Sequence, residues 1–307
     1  MKGGLKGRDL LTLQELSPKE IWDILNLSRR LKEEGQEKPL KGKVLAMIFQ
    51  KPSTRTRVSF EVAMRQLGGE AIYLGWRELQ LGRGETIADT AKVLSRYVDG
   101  IMARVYAQST LEELARNASV PVINGLSDLC HPVQILADLF TMWEKKGEIK
   151  GLKVAYVGDG NNVCNSLLIG CSKMGIDLSV ACPKGYEPDG RFVKWALENA
   201  KASGSEIKVG REPLDAVKNA DFIYTDVIAS MGQESEREVR LKLFLPKYQI
   251  TNELFKLASK EAYFMHPLPC HRGEEVTSAV VDGPRSIVWD QAENRLHTTK
   301  ALLSLIF

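Results

Sequence analysis

One stretch near the start of the chain limits the possible folds more than any other part of the sequence. Residues Val44–Phe49 form an almost uninterrupted apolar run, which is typical of a strand buried on both faces in a parallel sheet. After a short polar segment, apolar side chains recur at helical spacing and then stop at a pair of glycines, in the series Phe60, Ala63, Met64, Leu67, Gly68 and Gly69. A buried strand that leads directly into an amphipathic helix predicts an α/β fold.

The turn between this strand and this helix, Pro52–Arg57, is rich in hydrogen-bond donors. It holds three hydroxyl groups and two guanidinium groups. The first turn of a helix also presents unpaired backbone N–H groups and the positive end of the helix dipole, so it favours anions. An ordinary helix cap with surface arginines is the alternative, but a cap needs only one of these hydroxyls. The turn therefore predicts a phosphate-binding site, although it lacks the Gly-x-x-x-x-Gly-Lys pattern of nucleotide-binding loops.

Strand-like and helix-like segments alternate along the chain, which indicates parallel sheets covered by helices on both faces. The alternation pauses at the charged segment 145–151 and then begins again. We therefore predict two doubly wound parallel-sheet domains, covering residues 1–149 and 150–290, with a final helix over 291–307 that packs back on the first domain. Open α/β sheets bind ligands beyond the carboxyl ends of their strands, and we expect the active site in the cleft between the two domains.

Three shorter segments give further local predictions. Ser109–Glu112 has the pattern of a capping box at the start of a helix, and Ser286–Trp289 has the composition of a last strand. Residues Glu78–Glu85 contain two glycines, a polar surface and no periodicity, which indicates a mobile loop. These segments decide where the neighbouring helices and strands begin.

The composition is that of an ordinary soluble globular protein. Of 307 residues, 44% are apolar and 26% are charged, and the formal net charge is only +3. The sequence has no block of like charges and no apolar run long enough for a membrane span, so we expect neither nucleic acid nor a membrane as a partner. Five cysteines without a C-x-x-C pair, and a start without the apolar segment of a signal peptide, favour reduced thiols in a cytoplasmic protein.

Several polar side chains lie at the ends of predicted strands and could hold a reacting carbonyl group. Arg104 ends one strand, and His131 and Gln134 follow the next. A carbonyl oxygen that becomes negative during acyl transfer needs fixed donors of this kind. His131 could instead simply cap its helix. A metal site is not expected, because no two histidines have the i, i+4 spacing with a carboxylate that helical zinc sites show.

The turn Gly158–Val163 follows a strand and invites comparison with a dinucleotide-binding loop. Val163 replaces the third glycine of that motif, and no acidic residue ends the next strand, so we expect no nicotinamide cofactor. The asparagine amides of this turn suit the carboxylate or amino group of a substrate. Asp226, at another strand end, would attract a cationic amine and repel an acidic co-substrate. A helix-capping role for Asp226 is the alternative.

A series of motifs in the same order resembles the ornithine carbamoyltransferase family over essentially the full length of the chain. The matching segments are Phe49–Arg57, Gln80–Glu85, His131–Gln134, Gly158–Asn162, Asp226 with Ser230–Gly232, and Glu293–His297. The resemblance implies transfer of the carbamoyl group of carbamoyl phosphate to the δ-amine of L-ornithine, which gives L-citrulline and phosphate in arginine metabolism. It implies no cofactor.

The resemblance also implies roles for individual residues. Arg55, Arg104 and His131 would be catalytic. The residues expected to bind carbamoyl phosphate are Ser53, Thr54, Arg55, Thr56, Gln80, Arg104, His131, Gln134, Pro267, Leu268 and Arg295. The residues expected to bind ornithine are Asn162, Asp226, Ser230 and Met231. Because the family forms trimers with shared sites, Gln80 would reach the site of a neighbouring subunit, and we expect a homotrimer or a multiple of trimers.

One segment departs from the family pattern. The ornithine enzymes usually read His-Cys-Leu-Pro at a strand end, whereas this chain reads His266-Pro267-Leu268-Pro269-Cys270, a form similar to that of aspartate carbamoyltransferases. Either Cys270 takes over the role of the usual cysteine from a shifted position, or the thiol is dispensable. Asp226 argues against aspartate as substrate, since that site needs cationic residues for two carboxylates. Putrescine and N-acetylornithine are alternative amines, and a protein that only binds carbamoyl phosphate is the alternative class.

Overall fold

The computed structural model describes residues 4–34, 38–230 and 232–307. Contacts within the chain divide it into two compact units, which we call unit one (Met1–Phe140 with Glu293–Phe307) and unit two (Thr141–Ala292). The domain boundary expected near residue 149 remains a prediction. Among the described residues, no helix is both long and apolar enough to cross a membrane.

The secondary structure alternates as the sequence predicts. In the described ranges the strands are β1 (Val44–Phe49), β2 (Glu70–Gly75), β3 (Gly100–Arg104), β4 (Val122–Leu126), β5 (Lys153–Val157), β6 (Asp177–Ala181), β7 (Ile207–Gly210), β8 (Phe222–Tyr224) and β9 (Tyr263–Met265). The α-helices of the same ranges are α1 (Pro18–Glu33), α2 (Thr54–Gln66), α3 (Ile87–Leu94), α4 (Gln108–Asn117), α5 (Pro132–Lys146), α6 (Asn162–Met174), α7 (Gly190–Ser203), α8 (Pro213–Val217), α9 (Arg237–Phe244), α10 (Asn252–Phe255), α11 (Ser278–Val281) and α12 (Val288–Ile306).

The sheet of unit one has the strand order β2-β1-β3-β4, and all neighbouring strands are parallel. Its central strands are buried on both faces, which explains why Val44–Phe49 reads as an unbroken apolar run. The chain passes from β1 outward to β2 and then returns to the other side of β1 as β3. The strand order therefore reverses between β1 and β3, and ligands of open α/β sheets bind at the carboxyl ends of two such strands.

The sheet of unit two follows the same plan with five parallel strands in the order β7-β6-β5-β8-β9. Here the strand order reverses between β5 and β8. The segments that leave these two strands are Gly158–Asn161 and Thr225–Asp226. The predicted α/β class with two doubly wound parallel sheets is confirmed.

Helix α2 shows how local sequence fixes one of these ligand-binding ends. Ser53 caps the helix, since its hydroxyl oxygen accepts a hydrogen bond from the N–H of Thr56 at 3.2 Å. Phe60 and Met64 are fully buried on the face that packs against the sheet. The helix is followed by Gly69, where a Cβ atom would lie 2.9 Å from the carbonyl oxygen of Lys43. A larger residue there would push the helix end away from β1.

Three local predictions were wrong in part or in whole. The capping box at Ser109 is absent, because α4 begins at Gln108, with Ala107 at its N-cap, two residues before the predicted cap. The last predicted strand is instead the start of α12 at Val288, preceded by one isolated bridge between Ser286 and Phe264. A short apolar run at such a position fits either element. The segment predicted as a loop contains the 3-10 helix Gln80–Arg83.

Candidate active site

The first group of candidate residues lies where β1 leads into α2 in unit one. Thr56 is buried in the first turn of α2, while Thr54 is exposed and Arg55 is half-buried. Lys51 is buried just before the turn, where it forms an ion pair with Asp128. The ring of Tyr106 lies 4.4 Å from the Lys51 ammonium nitrogen. These contacts fix the backbone that leads into the helix start.

Two buried arginines converge on the hydroxyl of Thr56. Arg104 is the last residue of β3 and lies beside Phe49 of β1, and its Nη1 is 3.4 Å from Thr56 Oγ1. Arg295 on α12 places its Nη2 at the same distance, 3.4 Å, from that oxygen. Both arginines are almost completely buried, at 8% and 2% exposure. Thr56 therefore accepts from two guanidiniums, which leaves its own hydroxyl hydrogen to donate.

Gln134 extends this hydrogen-bonded group into α5. Its Oε1 accepts a hydrogen bond from Arg295 Nη1 at 2.6 Å, and its Nε2 donates to Asp138 Oδ1 at 2.9 Å. The acidic residue thus fixes the amide orientation, and the amide fixes the guanidinium. His131, one residue before the start of α5, is also buried.

Positive charge is concentrated in this group, and the pKa values show it. Burial, together with the smaller effects of the charges of Arg295 and Arg55, lowers the pKa of Arg104 to about 9. The pKa of His131 is lowered well below its usual value by burial first and then by the same three arginines. His131 is therefore neutral near pH 7 and can donate one hydrogen bond without adding charge. The arrangement suits a compact anion with two or more charges.

The structure brings most of the predicted carbamoyl phosphate residues of unit one together. Thr56, Arg104, Gln134 and Arg295 are joined by hydrogen bonds. Ser53 caps the same helix that carries Arg55, and the charge of Arg55 acts on both Arg104 and His131. Gln80 is exposed at the start of the 3-10 helix Gln80–Arg83, and no hydrogen bond joins it to this group within the part of the chain that the structure describes.

The second group of candidate residues lies in unit two, where β5 leads into α6. Asn161 caps α6, since its Oδ1 accepts from the N–H groups of Val163 at 3.0 Å and Cys164 at 3.2 Å. Asn162 is half-buried as the first residue of the helix. A Cβ atom on Gly160 would lie 2.2 Å from the backbone nitrogen of Pro188, so only glycine fits this turn.

Asp226 follows β8 and joins this turn through its carboxylate. Its Oδ2 accepts from Asn161 Nδ2 at 2.8 Å, and its Oδ1 accepts from the N–H of Val227 at 2.8 Å. Burial raises the pKa of Asp226, while His266 and these hydrogen bonds oppose the rise. The carboxylate caps no helix, since the next α-helix begins only at Arg237. A buried carboxylate at the end of β8 is a good partner for an ammonium group.

The segment after Asp226 carries the remaining predicted amino-acid ligands. Ser230 is half-buried, and its N–H donates to Gln233 Oε1 at 2.9 Å. This bond holds the backbone in a turn before α9. Met231 lies outside the described residues.

The segment after β9 is held by a buried histidine. The N–H of Leu268 donates to His266 Nδ1 at 2.9 Å, and the other ring nitrogen, Nε2, lies 3.1 Å from Glu275 Oε1. Pro267 is buried, and Leu268 has a φ angle of +58°, a conformation that non-glycine residues seldom adopt. Backbone of this kind is frequent at ligand-binding sites.

Cys270 is half-buried beside the same glutamate. Burial and the charge of Glu275 raise the pKa of its thiol to about 12, so the thiol is protonated near pH 7. His266, Cys270 and Glu275 have ligand atoms within 4.8 Å of one another, and so do His271, Glu274 and Glu275. The two overlapping sets share Glu275, whose Oε1 also accepts a hydrogen bond from the N–H of His271 at 2.6 Å.

Three positioning contacts were not found from the sequence. They are the bond from Asn161 to Asp226, the ion pair between Lys51 and Asp128, and the ion pair between Arg240 and Asp159. The N-cap role of Asn161 had a signal, because an asparagine directly before a helix pattern is a preferred cap. The two ion pairs join residues far apart in sequence, and a single sequence gives no signal for such pairing.

Comparison with known proteins assigns both halves of the chain. The family described as aspartate/ornithine carbamoyltransferase, carbamoyl-P binding domain, matches residues 8–144, and the Asp/Orn binding domain of the same enzymes matches residues 150–306. The ornithine carbamoyltransferase of Pyrococcus horikoshii is 62% identical over 306 residues, which cover 98% of this chain and 96% of that protein. The protein of Pyrococcus furiosus that is named as an anabolic ornithine carbamoyltransferase is 61% identical over 98% of this chain and 97% of its own length.

Solved structures lead to the same assignment. The ornithine carbamoyltransferase structure from Pyrococcus furiosus has a TM-score of 0.95 and 60% identity, with 99% of this chain and 98% of that chain covered. The enzyme from Giardia lamblia is more distant at 37% identity but still has a TM-score of 0.88, over 97% of both chains. Sequence and fold therefore agree along almost the whole length, and the chain belongs to the aspartate/ornithine carbamoyltransferase family, on its ornithine carbamoyltransferase branch.

Proposed function

We propose that this protein transfers the carbamoyl group of carbamoyl phosphate to the δ-amine of L-ornithine, giving L-citrulline and phosphate, in the direction of arginine biosynthesis. The observation that carries the proposal is the buried group of Arg104, Arg295 and Thr56 at the start of α2, which concentrates positive charge at the reversal point of a parallel sheet. Full-length relatives named ornithine carbamoyltransferase support the same activity.

The phosphate group binds at the N-terminus of α2. Arg55 and backbone N–H groups of the first helical turn hold the phosphate oxygens, as helix starts commonly do. Arg104, neutral His131 and the hydroxyl of Thr56 donate to the carbamoyl oxygen, which becomes more negative as the amine attacks. Arg295 holds Thr56 in place through a hydrogen bond to its hydroxyl oxygen, and Gln134 in turn holds the guanidinium of Arg295.

The chemical step is a direct displacement. The new bond joins the δ-nitrogen of ornithine to the carbonyl carbon, and the bond from that carbon to the bridging phosphate oxygen breaks. The departing phosphate takes the proton that the amine loses, so neither a covalent enzyme intermediate nor a cofactor is required. Like a lysine side chain, the amine has a pKa of ~10.4, so its deprotonation near pH 7.4 costs roughly 4 kcal/mol. Alignment of two bound reactants supplies ~7–11 kcal/mol, which is enough to offset that cost.

The amino-acid end of ornithine binds in unit two. Asp226 attracts the α-ammonium group, and Asn162, Ser230 and Met231 complete the site. A second carboxylate, such as that of aspartate, would be repelled by Asp226. Pro267 and Leu268 are the remaining proposed ligands of carbamoyl phosphate, and Cys270 either takes over the role of the usual cysteine or is dispensable.

The test of this function is a comparison of amines. Purified protein is given carbamoyl phosphate with ornithine, putrescine, N-acetylornithine or aspartate, and the carbamoylated product and phosphate are measured. We expect rapid product formation with ornithine, as citrulline, and not with the other three amines. Asp226→Asn should lower the apparent affinity for ornithine by about tenfold to a hundredfold and leave that for carbamoyl phosphate unchanged. Faster turnover with another amine would identify that amine as the substrate in place of ornithine. Binding of carbamoyl phosphate without turnover of any amine would show that the protein only binds it.

The assembly proposed for the active enzyme is a homotrimer or a multiple of trimers in the cytoplasm. The exposed position of Gln80 supports this, because the side chain is available to the site of a neighbouring subunit. Sedimentation of the purified protein measures the number of subunits directly. A stable, fully active monomer would remove Gln80 from the proposed site.

A further inference from the structure

Arg240 is a buried arginine in the middle of α9 that makes two hydrogen bonds inside unit two. Only 3% of it is exposed. Its Nε donates to the carbonyl oxygen of Ile228 at 2.6 Å, and its Nη2 donates to the carboxylate of Asp159. The guanidinium carbon lies 4.7 Å from the ring centre of Tyr186, so the group is held in a stacked position as well.

The two acceptors of Arg240 belong to the two turns that carry the proposed amino-acid ligands. Asp159 lies in the turn after β5, two residues before Asn161. Ile228 lies in the turn after β8, two residues after Asp226. The bond between Asn161 and Asp226 joins the same two turns directly. Arg240 is therefore a second connection between them, made from a neighbouring helix.

Thermodynamic stability alone gives a weak reason for this arrangement. Burial raises the pKa of Asp159 to about 6 in spite of the opposing charge of Arg240, which shows how unfavourable the buried charge is. Buried ion pairs often contribute little net stability, because desolvation offsets the attraction, and in some proteins they serve instead to fix one conformation. A guanidinium with several fixed donors can hold two acceptors at a set separation.

We propose that Arg240 is a positioning residue for the amino-acid substrate: by holding Asp159 and Ile228 together, it sets the distance between the turn of Asn161 and the carboxylate of Asp226. This inference rests on the proposed function, since it takes the amine substrate to bind at these turns. It assigns Arg240 no contact with the substrate.

The experiment compares four variants of the full-length protein. Arg240→Met removes both hydrogen bonds and keeps an extended side chain, whereas Arg240→Lys keeps the charge but can reach only part of the set. Asp159→Asn weakens one contact and leaves the bond to Ile228. The matched control is Arg237→Met, which removes an exposed arginine of the same helix that pairs with Glu274.

We expect Arg240→Met to lower kcat/KM for ornithine by about tenfold or more and to change the KM for carbamoyl phosphate by less than about twofold. Arg240→Lys and Asp159→Asn should show intermediate losses with the same selectivity, and Arg237→Met should show no loss. Equal losses for both substrates would overturn the proposal. So would a lower melting temperature with an unchanged kcat/KM for ornithine. If Arg240→Met does not fold, the two milder variants decide between these outcomes.

Amide hydrogen exchange tests the connection without relying on turnover. The N–H groups of Val163, Cys164 and Val227 are bonded to Asn161 or Asp226, so they report on the two turns. We expect their exchange to become faster in Arg240→Met and not in Arg237→Met. Unchanged exchange would contradict the proposed connection. A wild-type protein that makes no citrulline would count against the proposed function, while the exchange rates would still decide the role of Arg240.

Discussion

At the scale of single residues, the candidate site depends on several positive charges that are buried close together. Arg104 and Arg295 both reach Thr56, and each lowers the tendency of the other groups to carry a proton. His131 responds by staying neutral. A neutral imidazole can donate a hydrogen bond to a developing oxyanion without adding to the repulsion among the neighbouring arginines.

Arg55→Ala should lower kcat/KM for carbamoyl phosphate by at least about a hundredfold, since a charge-assisted contact to the phosphate is lost. The fold should survive, because Arg55 is half-buried at the start of α2. The control is Arg57→Ala, which removes an exposed arginine of the same helix that pairs with Glu61. Steady-state kinetics measures both variants. Similar losses in the two would mean that the helix surface as a whole attracts the substrate.

The buried neutral state of His131 should make stability depend on pH. Its pKa is far below the usual value of 6.5 in the folded protein, so below pH 6.5 the unfolded chain takes up a proton that the folded chain does not. Stability is therefore complete above this pH and is lost as the pH falls. Between pH 7.5 and 5.5 the loss from this residue should be about 1.4 kcal/mol.

The measurement is urea unfolding of the wild type and of His131→Gln at both pH values. The variant lacks the titrating group, so it should lose about 1.4 kcal/mol less than the wild type over this interval. Equal losses in the two proteins would show that His131 binds its proton equally well in the folded state.

At the scale of elements, both candidate groups lie at a turn between a strand and a helix with a capped N-terminus. In unit one Ser53 caps α2, and in unit two Asn161 caps α6. Each cap holds the first turn of its helix in place by accepting hydrogen bonds from backbone N–H groups. The cap is therefore a structural part of the site as well as a stabilising contact.

Ser53→Ala should lower the free energy of unfolding by about 1 kcal/mol, the usual cost of losing an N-cap hydroxyl. It should also raise the KM for carbamoyl phosphate by about tenfold, because the hydroxyl and the ordered helix start are both lost. The control is Thr86→Ala, which removes a similar cap on α3, where Thr86 Oγ1 accepts from the N–H of Asp89 at 3.1 Å. Thr86→Ala should lower stability by a similar amount and leave the KM unchanged. If both variants changed the KM for carbamoyl phosphate equally, Ser53 would have no specific role in binding the phosphate group.

Elements that are buried and have a periodic apolar pattern could be predicted from the sequence. Elements and contacts that depend on residues distant in sequence could not. The unbroken run of β1 and the spacing of Phe60 and Met64 predicted strand and helix correctly. The edge strand β7 was not predicted. Its residues are mostly exposed, and only its pairing with β6 defines it as a strand. The ion pair of Arg240 was missed for the same reason, because its partner is distant in sequence.

At the scale of the whole molecule, each parallel sheet places a candidate group at the point where its strand order reverses. In one sheet this point lies between β1 and β3, and in the other between β5 and β8. The alternation of strands and helices predicts parallel sheets but not their strand order, so the point of reversal is known only from the structure. The number of subunits does not follow from topology, because it depends on surfaces that the pattern within a single chain leaves unassigned.

Mixing two inactive variants should restore activity if Gln80 serves a neighbouring subunit. Arg55→Ala and Gln80→Ala are denatured together in equal amounts and refolded, and citrulline formation is measured. In randomly mixed trimers with shared sites, about one quarter of the sites combine an intact Arg55 with an intact Gln80, so about one quarter of wild-type activity should return. Each variant refolded alone is the control. Trimers without restored activity would show that every subunit builds its site alone.

The crowding of Arg55, Arg104 and Arg295 has a practical consequence for handling the protein. The positive charges of these arginines repel one another when no anion is bound. The protein should therefore be least stable in phosphate-free buffer of low ionic strength. Orthophosphate, which the reaction releases, fits among the same arginines and should act as a competitive product inhibitor. Phosphate-buffered preparations would then be robust on storage and yet sluggish in assay.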